Sequence, residues 1–92
     1  MEEETLSILR EKIDKINLGI LQLLNQRFEI LQKIQEIKEK QNLPLSDPKR
    51  ENEIWEKLLK ANKGPIPTEA LYSIFQQILQ SSKQYMKKKE KK

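Results

Sequence analysis

An arginine interrupts the apolar face of the first helical pattern in this chain. Apolar residues recur three and four positions apart from Leu6 to Ile37, and the same spacing requires an apolar residue where Arg27 stands. Lys38 follows eleven positions later, and eleven helical steps of about 100° return to within about 20° of the same face. Two cations on one largely aliphatic face predict a site for a small anion that carries more than one carboxylate or phosphate group.

Arg10 is a candidate third cation, although it cannot reach this face from the same helix. It precedes Arg27 by seventeen positions and is turned about 100° away. A second copy of the helix that runs in the opposite direction would present its Arg10 there. Structural roles also fit these residues, namely a snorkelling side chain or a buried ion pair for Arg27 and a surface pair with Asp14 for Arg10. The spacing leaves both interpretations open.

Composition limits the chemistry that these cations could support. The 92 residues include no histidine and no cysteine, which excludes disulfides, Cys/His metal sites and triads or proton shuttles that need histidine. The formal charge of +4 comes from the lysine-rich end at 87–92, so nucleic-acid binding is not indicated. No apolar run has the length of a membrane span, and the acidic start is unlike a signal peptide. We expect a cytoplasmic protein without a cofactor, a nucleic-acid partner or a membrane partner.

A long first helix must position the cations. The pattern predicts a helix over about residues 5–42, with Thr5 as a possible N-cap and an end before Pro44. At about 1.5 Å per residue such a helix is roughly 54 Å long. A chain of this size cannot cover its apolar face alone, and we therefore expect a homodimer.

Two shorter helices follow in the predicted all-α fold. Asp47 and Pro48 start a helix over about 48–62, for which Gly64 is the expected C-cap. Thr68 starts a third helix over about 68–86. We expect one helical domain over residues 1–86 and a disordered lysine-rich tail over 87–92.

Three polar residues on the second and third helices have ordinary structural interpretations. Ser82 stands on an apolar stripe, where a serine usually bonds the carbonyl one turn earlier. Arg50 suits a surface position, and Glu51 suits the positive end of the helix dipole. None of the three indicates a function by itself.

Five segments, taken in order, resemble a known family. They are residues 9–14, 23–27, 34–38, 47–51, and 74–78 followed by Ser82. Over about residues 6–86, their order and the spacing of their charged residues resemble the all-helical chorismate mutase family. The resemblance implies an intertwined homodimer of three helices per chain, in which the long first helices span both protomers and build two equivalent sites.

The family's reaction is the rearrangement of chorismate to prephenate, in the biosynthesis of phenylalanine and tyrosine. This unimolecular step needs no nucleophile, general base or cofactor, which suits a chain without histidine and cysteine. The resemblance implies that the site holds a flexible dianion in its reactive conformer and stabilises charge on the breaking ether oxygen.

The resemblance also implies a role for each site residue. Arg27 would bind one carboxylate, Arg10 of the partner chain would bind the other, and Lys38 would donate to the ether oxygen. The other implied contacts are Arg50 at the carboxylate end, Glu51, Ser82 and the backbone near Asp47 at the ring hydroxyl, and Ile34 and Leu79 against the ring.

Met86 departs from the family's pattern. The family usually has Gln or Glu one turn after the Ser82 position, as a second donor to the ether oxygen. Loss of one such donor typically costs ~3 kcal/mol of transition-state stabilisation. We expect Met86 to line a site that still binds substrate but turns it over more slowly.

Three other functions remain open. One is a regulatory sensor of the shikimate pathway with weak activity. The loop at 62–65 and the lysine-rich tail resemble mutase-like domains fused to the enzyme that opens that pathway, and Met86 would suit a sensor. Another is isochorismate-pyruvate lyase, which shares the Arg and Lys positions, although residues 47–51 resemble the mutase more. A structural coiled coil would explain the long helix, but it leaves Arg27 on the apolar face unexplained.

Overall fold

The computed structural model describes residues 4–90, with side chains described through Met86, and consists of three α-helices. Helix α1 spans Leu6–Lys40, α2 spans Pro48–Ala61 and α3 spans Thr68–Glu90. No strand occurs within these described residues. The predicted all-α fold with a long first helix is therefore confirmed.

Capping residues fix both ends of α1. The Oγ1 of Thr5 accepts a hydrogen bond from the Ile8 N–H at 3.2 Å, which satisfies one of the unpaired donors of the first turn. At the other end, Asn42 adopts a φ of 55° and the Leu43 N–H donates to the Lys38 carbonyl at 2.8 Å. This is a Schellman motif with asparagine in the left-handed position, and it ends the helix just before Pro44.

Capping residues also determine both ends of α2, although the C-cap differs from the predicted one. Asp47 is the N-cap, because its Oδ1 accepts from the Arg50 N–H at 3.1 Å, and Pro48 occupies the first turn. The C-cap is Asn62 rather than the expected Gly64. The Asn62 Oδ1 accepts from the Gly64 N–H at 2.9 Å, and this side-chain bond stabilises the turn beyond the helix. Gly64, with a φ of 79°, lies in the following loop.

Helix α3 ends at Glu90 rather than at the predicted residue 86. Residues 1–3 and the end of the predicted tail, Lys91 and Lys92, lie outside the described residues. The division into a domain and a disordered tail stays a prediction.

The chain divides into two compact units, one ending at Ile30 and one beginning at Leu31. The first contains the larger part of α1, and its apolar side chains are exposed by 43% to 64% at Leu6, Leu9, Ile13, Ile16, Ile20, Leu23 and Ile30. Such exposure along a helical stripe is unusual for a soluble chain on its own, because each side chain loses the free energy of burial.

The second unit contains the end of α1 together with α2 and α3. Trp55 of α2 meets Tyr72 of α3 edge to face, with ring centroids 4.9 Å apart and an interplanar angle of 80°. Among the described side chains, Leu71 and Met86 are the buried apolar ones. This small core leaves the chain with little apolar burial of its own.

Candidate active site

Lys38 lies in the last turn of α1, where the loop that follows folds back over it. Its Nζ donates to the carbonyl of Leu45 at 3.2 Å, and the side chain is half-buried. An ammonium has three donors, so this bond orients the group and leaves donors for a ligand oxygen. Ile34, one helical turn earlier, is 38% exposed and shares this face of α1.

Asp47 and Arg50 interact mainly within the first turn of α2. The Asp47 carboxylate caps the helix through the Arg50 N–H. The Arg50 guanidinium lies 3.5 Å from the Oε1 of Glu53, and both side chains are about half exposed. An exposed pair at this distance contributes little to stability, so the guanidinium can turn toward an anion at low cost.

Glu51 and Leu79 line the same groove between α2 and α3. Their spacing in the sequence does not predict that they lie together. The groove encloses about 230 Å³ and is walled mainly by the apolar side chains of Ile54, Trp55, Leu58, Tyr72 and Phe75. The Oε2 of Glu51 also accepts from the Nζ of Lys83 on α3 at 2.8 Å. A carboxylate at the rim of an apolar groove is suited to accept a hydrogen bond from a ligand hydroxyl.

Ser82 is buried on α3, and its Oγ donates to the carbonyl of Ile78 at 2.7 Å. The structural interpretation of this serine is therefore confirmed. A hydroxyl group can accept hydrogen bonds as well as donate one.

Met86 is buried, with 7% of its surface exposed. It lines a second cavity of about 290 Å³, together with Leu45, Ser46, Gln80, Lys83 and Gln84. A thioether cannot donate a hydrogen bond. The position where the resemblance led us to expect a Gln or Glu donor is therefore occupied by an apolar side chain.

Sequence reasoning missed Gln35, the most buried polar side chain of α1. It is 4% exposed, and its Nε2 donates to the carbonyl of Met86 at 2.9 Å. Its neighbour Gln32 donates to the hydroxyl of Tyr85. The available signal was helical spacing, because Gln35 follows Leu31 by four positions and precedes Lys38 by three. The apolar stripe itself runs through Ile34, one position before Gln35.

Sequence reasoning also missed Lys83. Eighteen basic residues in 92 offer many equivalent partners for Glu51, and no local spacing distinguishes the one on α3 that meets it. Only the packing of α3 against α2 identifies this pair.

Arg10 and Arg27 belong to the first unit. Arg10 is exposed and Arg27 is half-buried on α1. Their convergence with the other predicted site residues stays a prediction. Within the part of the chain that the structure describes, no group of three or more acidic residues is arranged to hold a metal ion. In the same part, no helix is long and apolar enough to cross a lipid bilayer.

Comparison with known proteins identifies relatives along nearly the whole chain. A family model described as chorismate mutase type II matches residues 9–87. A bifunctional chorismate mutase/prephenate dehydratase of Aquifex aeolicus is 48% identical over 80 residues, which are 83% of this chain and 22% of that protein. The chain therefore spans less than a quarter of that relative. A chorismate mutase of Methanocaldococcus jannaschii is 33% identical over 85 residues, or 91% of this chain and 86% of the relative.

Solved structures agree with these relatives. Chorismate mutase form II from Thermus thermophilus matches with a TM-score of 0.88 and 34% identity, covering 91% of this chain and 96% of that chain. Form I of the same protein matches with a TM-score of 0.83 and 37% identity, covering 86% and 99%.

Proposed function

The chain belongs to the type II chorismate mutase family, and on this premise we propose that it rearranges chorismate to prephenate. The observation that carries the proposal is the match over residues 9–87, which includes every site residue that the resemblance implied. A second observation supports it. Lys38, the implied donor to the ether oxygen, is already oriented by the Leu45 carbonyl at 3.2 Å.

The rearrangement is unimolecular, so the chain has to bind, orient and stabilise rather than supply a nucleophile. Arg27 binds one substrate carboxylate, and its planar guanidinium fixes the orientation of that group. Lys38 donates to the ether oxygen as negative charge grows there. Glu51 accepts a hydrogen bond from the ring hydroxyl at the rim of the α2–α3 groove, where Leu79 supplies an apolar wall. These contacts select the compact conformer in which the reacting carbons meet.

Remaining contacts complete the binding site in this proposal. Arg50 turns from Glu53 toward the carboxylate end of the substrate, Ser82 and the backbone near Asp47 lie at the ring hydroxyl, and Ile34 packs against the ring. Met86 occupies the place of the second donor to the ether oxygen. We expect turnover to be slower than in a mutase with Gln or Glu at this position.

A second copy of the chain completes the site. The apolar stripe of α1 continues through Ile34 and Ile37, which are exposed by 38% and 53% in the single chain. The 35 residues of α1, at about 1.5 Å each, make a rod of roughly 52 Å that one small chain cannot cover. An intertwined homodimer buries these stripes against each other and brings Arg10 of the partner to the second carboxylate. A cytoplasmic location also stays part of the proposal.

A regulatory sensor of the same pathway is the second candidate, and the buried side chain of Met86 is the observation that favours it. A site that binds the dianion without the second donor retains affinity and loses rate, because the missing interaction acts mainly in the transition state. The family match favours the mutase over the lyase that shares the Arg and Lys positions.

The decisive experiment mixes the purified chain with chorismate and follows the loss of its ultraviolet absorbance, with separate assays for prephenate and pyruvate. We expect prephenate to form well above the uncatalysed rate. Arg27→Ala should abolish this activity, whereas Lys33→Ala, at an exposed position of the same helix, should leave it intact. Pyruvate as the product would identify the lyase, and binding of prephenate without turnover would identify the sensor.

A further inference from the structure

Lys83 and Glu51 form an ion pair that joins α3 to the first turn of α2. The Nζ of Lys83 lies 2.8 Å from the Oε2 of Glu51. The two side chains are 47% and 32% exposed, so the pair lies at the surface end of the helix interface. Glu51 lines the α2–α3 groove, and Lys83 lines the neighbouring cavity beside Met86. The ion pair therefore joins a residue of the groove to a residue of the neighbouring cavity.

The pair changes what the Glu51 carboxylate presents to a ligand. An unpaired carboxylate repels a substrate that carries two carboxylates of its own, and this repulsion is stronger in a partly desolvated groove than in water. Lys83 cancels that charge at contact distance. The contact involves one carboxylate oxygen, and a carboxylate can accept further bonds through its other oxygen.

We propose that Lys83 is a positioning residue of the active site. It orients the Glu51 carboxylate and neutralises its charge. Glu51 can then accept a hydrogen bond from the ring hydroxyl of a dianionic substrate. The inference rests on the proposed function, since it needs a dianion and a role for Glu51 in binding it. Lys83 acts through Glu51 and has no need to touch the substrate.

A merely structural ion pair is the competing explanation. Pairs that are this exposed contribute little to folding, so removal of Lys83 should leave a folded protein. Stability and substrate binding can therefore be measured separately in the same variants.

The test compares Lys83→Met with Lys83→Arg in the full chain, alone and combined with Glu51→Gln. We expect Lys83→Met to raise KM for chorismate by about three- to tenfold with a small change in kcat. Substrate and transition state carry the same two carboxylates, so the repulsion weakens the binding of both to a similar extent. Lys83→Arg should restore most of the affinity. Once Glu51→Gln has removed the charge, Lys83→Met should add no further increase in KM. Lys57→Met, at an exposed position of α2, is the matched control and should leave KM unchanged.

Two results would overturn the inference. Lys83→Met could lower the melting temperature and leave KM unchanged, which would make the pair structural. Alternatively, Lys83→Met could raise KM by the same factor with and without Glu51→Gln. That result would show that Lys83 does not act through Glu51.

Failure of the proposed function is distinguishable from these results. If the wild-type chain forms no prephenate, the dissociation constant for prephenate replaces KM as the readout, and the same pattern among the variants supports Lys83 in a sensor. A wild-type chain that neither converts chorismate nor binds prephenate overturns both proposals.

Discussion

The side-chain amide of Gln35 on α1 donates to the main-chain carbonyl of Met86 on α3, with a distance of 2.9 Å between Nε2 and the oxygen. The same Nε2 lies 3.4 Å from the Oε2 of Glu39. Two acceptors on one side of the amide fix which end carries the hydrogens. The Oε1 of Gln35 therefore points away from them, and it is buried without a hydrogen-bond partner among the described residues.

Gln35→Met should change the free energy of unfolding by less than about 1 kcal/mol. The variant loses the bond to the Met86 carbonyl and the longer bond to Glu39. It also removes a buried acceptor that has no partner among the described residues, and the gain and the loss are of similar size. Urea denaturation at a fixed protein concentration measures the difference. Gln35→Glu is the contrast, because a buried carboxylate beside Glu39 should cost about 2 kcal/mol or more. A large loss in Gln35→Met would mean that the assembled protein supplies a partner for Oε1.

Met86→Gln should raise the turnover number by about tenfold or more, because in the proposed site it supplies a second donor to the ether oxygen. The measurement is the initial rate of prephenate formation at saturating chorismate. Met86→Leu is the matched control, since leucine fills similar volume, cannot donate and should leave the rate near that of the wild type. An unchanged or lower rate in Met86→Gln would show that position 86 does not face the ether oxygen or that water already supplies the donor.

Lys38→Met should lower kcat by about 10² to 10³ with a smaller effect on KM, because the ammonium acts mainly on charge that develops in the transition state. Steady-state kinetics with chorismate measures both constants. Lys40→Met, at an exposed position in the same last turn of α1, should behave as the wild type. Equal losses in the two variants would remove Lys38 from the proposed mechanism.

A mixture of two inactive variants should recover activity if Arg10 acts in the partner's site. Arg10→Ala and Arg27→Ala should each abolish turnover. In a mixed dimer, one site lacks both arginines and the other retains both. Equal amounts that exchange freely should therefore give about a quarter of the wild-type activity, because half of all dimers are mixed and each mixed dimer has one intact site of its two. No recovery, with mixed dimers demonstrated by differently sized tags, would place both arginines in the same chain's site.

Sedimentation of the purified chain tests the dimer separately from its activity. We expect a dimer, and Ile16→Glu, at an exposed apolar position of α1, should produce a monomer of lower melting temperature because a charge cannot be buried in that seam. Glu29→Gln, at an exposed polar position of the same helix, is the control. A folded, stable monomer of the wild-type chain would contradict the proposed assembly.

The sequence by itself determined the features that depend on neighbouring residues. An N-cap side chain accepts a hydrogen bond from an N–H group that is at most about three positions away. Thr5 and Asp47 therefore identified the starts of α1 and α2. The bond from Ser82 to Ile78 spans a single turn and was predictable for the same reason. The order of the charged segments was also sufficient to predict the family.

Tertiary structure decided the contacts between helices. Gln35 and Met86 are 51 positions apart, and the sequence context of Lys83 does not differ from that of the many other lysines of the chain. Periodicity identifies apolar stripes, but it does not say which stripe packs within the chain. Leu31, Gln35 and Lys38 are at least half-buried, whereas Ile34 and Ile37 remain exposed. That choice depends on the contacts that the end of α1 makes with α3, where Gln32 meets Tyr85 and Gln35 meets Met86. Burial is decided by the sum of all contacts and not by the spacing along one helix.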